Sequence, residues 1–127
     1  MVDSYRHITA QRQGDIACVR LVKMRLDENE LHQLGNELDH LSQVGGCRKI
    51  ALDLMMKTPD CLYSIFLAEL IKLHRRLKGG GGGLKLCACT SQVQDILHAC
   101  GLLAHFDVVA NTTTALAQWG ASNPEVN

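Results

Sequence analysis

Ser64 is the side chain best placed to do chemistry. It stands where an apolar run, Ile50 to Leu54, gives way through Met55-Met56-Lys57-Thr58-Pro59-Asp60-Cys61-Leu62-Tyr63 to an amphipathic segment. Read as a strand end, a loop turning at Pro59 and a helix start, this junction sets a hydroxyl beside backbone N–H groups that lack intrahelical partners. Two roles fit the position. As a helix cap the hydroxyl is worth about 1 kcal/mol. As a phosphate acceptor it would gain about 1.5 to 2 negative charges and three acceptor oxygens at the end of the helix where an anion is favoured. Thr58, next to Pro59, is a weaker acceptor.

The other candidates read more plainly. Six cysteines, Cys18, Cys47, Cys61, Cys87, Cys89 and Cys100, fall mostly within apolar patterns, where a free thiol behaves as a small hydrophobe. Cys87-Ala88-Cys89 on a strand would turn both thiols to one face, without the C-x-x-C geometry or second pair of a metal or redox site. A thiol enzyme using Cys87, Cys89 or Cys61 is the outlying alternative to core packing. Gly79 to Gly83 suggests a phosphate loop, but the order is helix, glycines, strand, and no Gly-Lys-Ser/Thr follows. A helix cap at Gly79 and a flexible connector fit better. The histidines (His7, His32, His40, His74, His98, His105) are scattered, and His74 among Lys72, Arg75 and Arg76 reads as helix surface. With no acid pair, nucleophile–base signature or cofactor fingerprint, the expectation is no enzyme, no cofactor and no metal.

Composition narrows the class. A chain of 127 residues can bury a core without staples and is expected to form one domain, with its body at about 6–118 and a frayed tail over 120–127. Thirteen basic and 13 acidic side chains balance, so no electrostatic case exists for nucleic acid or an anionic membrane. The polar stretch Met1 to Gln13 does not read as a signal peptide, so none is expected, and no apolar run nears the roughly 20 residues of a membrane span. A cytoplasmic protein is expected.

The elements that must position Ser64 alternate. Arg6 to Gln13 and Ile16 to Val22, joined at Gly14-Asp15, read as a hairpin. Asp27 with Glu30 three residues on makes a capping box for a helix whose apolar stripe is Leu31, Leu34, Leu38 and Leu41, ended by Val44-Gly45-Gly46. Lys49 to Leu54 reads as a buried strand. Ile65 to Lys78 is a second helix with Leu67, Leu70, Ile71, Leu73 (or His74) and Leu77 inward. Leu84 to Cys89 and Phe106 to Ala110 are strands; Ser91 to Cys100 and Thr112 to Trp119 are helices, the last capped by Asn111 or Thr112. The order ββαβαβαβα predicts an α/β fold: a mixed, mostly parallel sheet of about five strands with helices packed against it.

These segments, in this order and spacing, resemble a STAS domain, the family of bacterial anti-sigma factor antagonists. The resemblance rests on Ile16–Val22, Arg25-Leu26-Asp27-Glu28-Asn29, Ile50-Ala51-Leu52-Asp53-Leu54, Ser64 ahead of the run Leu67 to Lys78, and Leu84-Lys85-Leu86-Cys87. Gly101-Leu102-Leu103-Ala104-His105-Phe106 and Thr112-Thr113-Thr114-Ala115-Leu116 extend it, so that it covers roughly residues 6 to 118.

The resemblance implies a regulatory protein-binding module without catalytic activity. Its partner would be an anti-sigma factor that is also a serine kinase, and a homodimer is a further possibility. In the family an Asp-Ser-Ser/Thr-Gly-like segment opens the helix after the third strand. Its phosphorylated hydroxyl aligns with Ser64 when Leu67 to Leu73 is held in register. Here Tyr63 replaces the preceding acid and Ile65 the following small residue, while Phe66 and Ala68 replace two glycines. Met55 to Leu62 also runs about two residues longer. Tyr63 and Phe66 read as apolar anchors of a partner-binding surface that takes in Asp60, Leu62 and Ser64. The alternative is a diverged STAS-like domain that binds a protein, a small ligand or itself constitutively, without phospho-control.

Overall fold

The computed structural model describes residues 2–57, 64–102 and 106–120. Its elements run β1 (Val2–Ser4), β2 (Ile8–Gln13), β3 (Ile16–Leu21), α1 (Glu28–Gln43), β4 (Lys49–Asp53), α2 (Ser64–Gly79), β5 (Gly83–Cys87), α3 (Ser91–Ala99), β6 (Asp107–Val109) and α4 (Thr112–Gln118). The strands form one sheet in the order β1-β2-β3-β4-β5-β6. The first two pairings are antiparallel; β3, β4, β5 and β6 then run parallel. This is the mixed, mostly parallel architecture that the alternating pattern predicts, with β1 added at the edge. Three residues are too few to show a period of two, so β1 has no sequence signal of its own. The expected tail over 120–127 lies, beyond Gly120, outside the described residues.

Local chemistry sets the helix starts. The Asp27 carboxylate accepts from Glu30 N–H (2.8 Å) and the Glu30 carboxylate accepts from Asp27 N–H (3.1 Å), the reciprocal box expected ahead of α1. Thr90 caps α3 through the Val93 amide, and Asn111 caps α4 through Thr114. The Glu37 carboxylate, on α1, accepts from the successive amides of Arg6 and His7, each at 2.9 Å, and so fixes the bend between β1 and β2.

The sheet has two unequal faces. Ile8, Ala10, Ala17, Val19, Leu21, Ile50, Leu52, Leu84 and Leu86 point to one side and form the main core with α1, α2 and α3. The alternate positions belong to the other side, where Ala51, Cys87 and Val109 pack under Ala115 of α4, beside Cys18 and Trp119. This second face is covered over β4 to β6; towards β2 and β3 it carries exposed Thr9, Gln11 and Arg20.

Two expectations are corrected here. Cys87 and Cys89 do not share a face: Cys87 belongs to the cluster under α4, Cys89 to the main core. The strand ends at Cys87, and Ala88 adopts φ +54°, which breaks the pleat between the thiols. His74 is buried, as the inward option beside Leu73 allowed and not at the surface as its charged neighbours suggested, and it is stacked edge-on against Phe106 at 5.7 Å between ring centroids. It lies four residues after Leu70 and seven after Leu67, so helix geometry carries it into the core despite its charged neighbours.

The glycine run is explained by contacts rather than by ligand binding. The amides of Gly80, Gly81, Gly82 and Gly83 donate to the carbonyls of Arg76 or Leu77, Lys78, Leu77 and Arg48. They are therefore committed to closing α2 and entering β5. Gly81 sits at φ +87°, and a Cβ on Gly82 would lie 2.5 Å from the Arg48 carbonyl carbon.

Candidate functional site

Parallel strands bring their carboxyl ends to one edge of the sheet, and in open α/β sheets ligands and partners favour that edge. Here it is knitted by backbone bonds between the segments leaving β4, β5 and β6. Leu54 N–H donates to Cys87 O (3.0 Å), Met56 N–H to Ala88 O (2.9 Å) and Ala88 N–H to Ala110 O (3.0 Å). Met55, Met56 and Ala88 all adopt the left-handed region, at φ +57°, +55° and +54°. Non-glycine residues pay about 1–2 kcal/mol each for that conformation, and such strain gathers at functional segments. Two of the three stand directly before the loop that leads to Ser64.

The Asp53 side chain holds this turn. One carboxylate oxygen accepts from Met55 N–H at 2.8 Å, and the other accepts from Arg20 Nε at 2.9 Å. Arg20 is the parallel neighbour of Asp53 in register, and Cys87 its neighbour on the other side. Among the described residues, Met56, 64% exposed, and Val22, just after β3, are large apolar side chains left in solvent near this edge.

The sequence-derived site divides as follows. Ser64 is the first residue of α2, which places it in the turn whose amides lack intrahelical acceptors. Thr58, Asp60, Cys61, Leu62 and Tyr63 lie outside the described residues. Phe66 is corrected: it is 0% exposed and part of the main core, so it is no surface anchor. It shares a stripe with Leu70, Leu73 and Leu77 at spacings of four, three and four, and that stripe faces the sheet.

Thiol chemistry finds no support in the surroundings of Cys18, Cys87 and Cys89. Burial, then the Asp53 carboxylate, push the Cys87 thiol up to about 12. Burial pushes Cys89 to about 11, and Cys18 is raised by burial and Asp53. These groups stay protonated near neutrality, whereas a nucleophilic cysteine needs the thiolate. Among the described residues no group of three or more His, Cys, Asp or Glu is placed to hold a metal ion. No helix among them is long and apolar enough to cross a membrane.

Solved structures share this architecture. An anti-sigma-factor antagonist (STAS) domain protein from Planctomyces limnophilus superposes with a TM-score of 0.75 at 19% identity, over 90% of this chain and 98% of its own. The fold is that of a STAS domain. The protein TM1081, solved by NMR, gives a TM-score of 0.71 at 15% identity, over 91% of this chain and 90% of its own. Its crystal structure, from Thermotoga maritima, gives 0.68 at 16% identity, over 86% and 91%. No family model and no curated protein matches the sequence.

Sequence reasoning missed Asp53 and the Met55–Met56 turn within this STAS fold. A signal for Asp53 existed: it is the one charged side chain in the otherwise apolar run Ile50-Ala51-Leu52-Asp53-Leu54. The left-handed turn had none, because no glycine or asparagine marks it.

Proposed function

We propose that this chain is a regulatory protein-binding module of the anti-sigma factor antagonist kind. It docks its partner at the carboxyl edge of the sheet, through the loop after β4 and the start of α2. The partner is an anti-sigma factor with serine kinase activity, Ser64 is the phosphate acceptor, and the complex works in the cytoplasm without catalysis by this chain. The observation that supports this most is the placement of Ser64 as the first residue of α2, in the segment that follows β4 and its strained Met55–Met56 turn in a STAS fold. A phosphoryl group there would meet the first-turn amides, which lack intrahelical acceptors, while adding charge to the docking edge.

The test uses the protein with ATP and a candidate anti-sigma factor kinase, mapping phosphate by mass spectrometry and measuring the complex with Ser64→Ala and Ser64→Glu. Phosphate on Ser64 and a weaker complex for Ser64→Glu are expected. Unlabelled Ser64, with Ser64→Glu binding as wild type, would sink the switch.

A second reading, constitutive binding without phospho-control, is favoured by one observation. Ser64 lies two residues from fully buried Phe66, so the start of α2 is anchored in the core. A kinase would find little slack there to draw the hydroxyl into its site.

A further inference from the structure

We propose that Asp53 is the positioning residue of the docking loop, setting through the Met55 amide the left-handed turn from which that loop departs. The proposal rests on the reading of this edge as the docking site, and goes beyond it by naming what holds the loop's origin.

Consecutive left-handed residues without glycine do not persist unless other contacts over-determine them. Besides the bond from Lys57 N–H to Leu54 O (3.0 Å) that closes the turn, two contacts do so here. Met56 N–H is anchored to Ala88 O across the strand ends, and Met55 N–H is anchored to Asp53 Oδ1 two residues back, an Asx-type turn. The second depends on where the carboxylate points. Arg20 Nε, bonded to Oδ2 from the neighbouring strand, fixes that direction. Arg20 and Asp53 also line a groove of about 590 Å³ between β2, β3 and α4, with Thr9, Cys18, Thr112 and Leu116. A charged pair placed on a strand end beside exposed sheet is poorly explained by core packing, since one partner is largely in solvent (side-chain exposure 60% for Arg20, 10% for Asp53). Its geometry is explained by the amide that it holds.

The chain of effects is short. Arg20 orients Asp53, Asp53 holds the Met55 amide, and the Met55–Met56 turn closes the end of β4 onto Ala88. Asparagine at 53 keeps an oxygen for the Met55 amide; alanine does not. Glycine at 55 adopts the left-handed region without help.

The experiment is NMR of the full chain, reading the Cα and Cβ shifts of Met55 and Met56 and hydrogen exchange at their amides. Asp53→Ala is expected to move both sets of shifts out of the left-handed range and to speed exchange by about tenfold or more, the scale of one lost hydrogen bond. Asp53→Asn should keep the shifts, and Met55→Gly added to Asp53→Ala should bring the Met56 shifts and exchange back towards wild type. Shifts and exchange unchanged in Asp53→Ala would overturn the assignment. Should Asp53→Ala not fold, Arg20→Gln decides, since its side chain is mostly exposed: faster Met55 exchange supports the proposal and an unchanged turn overturns it. A partner that binds wild type and Asp53→Ala alike, while the turn moves, removes the docking reading and leaves the turn assignment standing.

Discussion

The Glu69 carboxyl of α2 lies directly over Gly35 of α1, so close that a Cβ on Gly35 would stand 2.5 Å from Glu69 Cδ. Gly35 is thus the point where α1 lets its neighbour in. Glu69 is buried there, and pairs with Lys72 at 3.2 Å and His32 at 3.5 Å.

Gly35→Ala should therefore change sign with its background. Alone it forces the Glu69 side chain out of a tight contact, and a loss of about 1–2 kcal/mol is expected. With Glu69→Ala the obstruction is gone, and the better helix propensity of alanine should stabilise by up to about 1 kcal/mol. A double-mutant cycle in urea measures the coupling. Additive effects would mean that the two helices are not in this register.

The glycine run makes a sharper contrast. At Gly82 an added Cβ meets the Arg48 backbone, which cannot swing aside, whereas at Gly79 it meets nothing. Gly82→Ala should cost about 3 kcal/mol. Gly79→Ala, in the last turn of α2, should stabilise by about 0.5–1 kcal/mol. Equal effects, read as shifts in the urea midpoint, would return the run to the status of a plain connector.

How much of this was legible in the sequence follows from the kind of interaction involved. Local rules did well. The Asp27–Glu30 box, the leucine stripe of α1 and the Asn111 cap all depend on residues within one or two turns of each other, and all are present. Long-range placement did less well. His74 and Phe66 were misjudged because charged or loop-like neighbours in sequence said nothing of Phe106 or the sheet beneath them. The Met55–Met56 turn was invisible, since its conformation is imposed by Asp53, Arg20 and Ala88 from three different strand ends. Element order is topological, and through it the place of Ser64 at the start of α2 was legible; the anchoring of the turn before it was not.

The buried thiols fix a pH window. Cys87 and Cys89 are raised from 9.0 to about 12 and about 11, so folding favours their neutral forms. Their contribution is fully present below the unfolded value near pH 9 and is lost as pH rises through the folded values. Stability should fall steeply between pH 9 and 12, and Cys87→Ala should flatten that slope whatever its effect at pH 7. Urea midpoints at several alkaline pH values measure both. Near neutral pH, exposed Cys100 should be alkylated well before Cys47, Cys87 or Cys89.

Lys85 ties the last helix to the sheet, and its removal should matter less than the removal of its acid. The side chain is 8% exposed; its amine contacts the Asp107 carboxylate, donates to Gln118 Oε1 at 2.9 Å and lies 5.2 Å from the centre of the Trp119 ring. Lys85→Met keeps the stem and removes the charge, leaving Asp107 free to take water, so a change within about 1 kcal/mol is expected. Asp107→Ala instead leaves a buried ammonium with an amide and an indole face alone, and should cost about 1–3 kcal/mol. Trp119 is the single tryptophan, so its fluorescence reports this corner without interference. Lys85→Met should make it more accessible to acrylamide, because it removes the contacts with Gln118 and the indole that tie α4 to the sheet, whereas Asp107→Ala leaves both in place and should change quenching less. A larger loss for Lys85→Met than for Asp107→Ala would show that the lysine acts through the indole and Gln118, with the carboxylate a bystander.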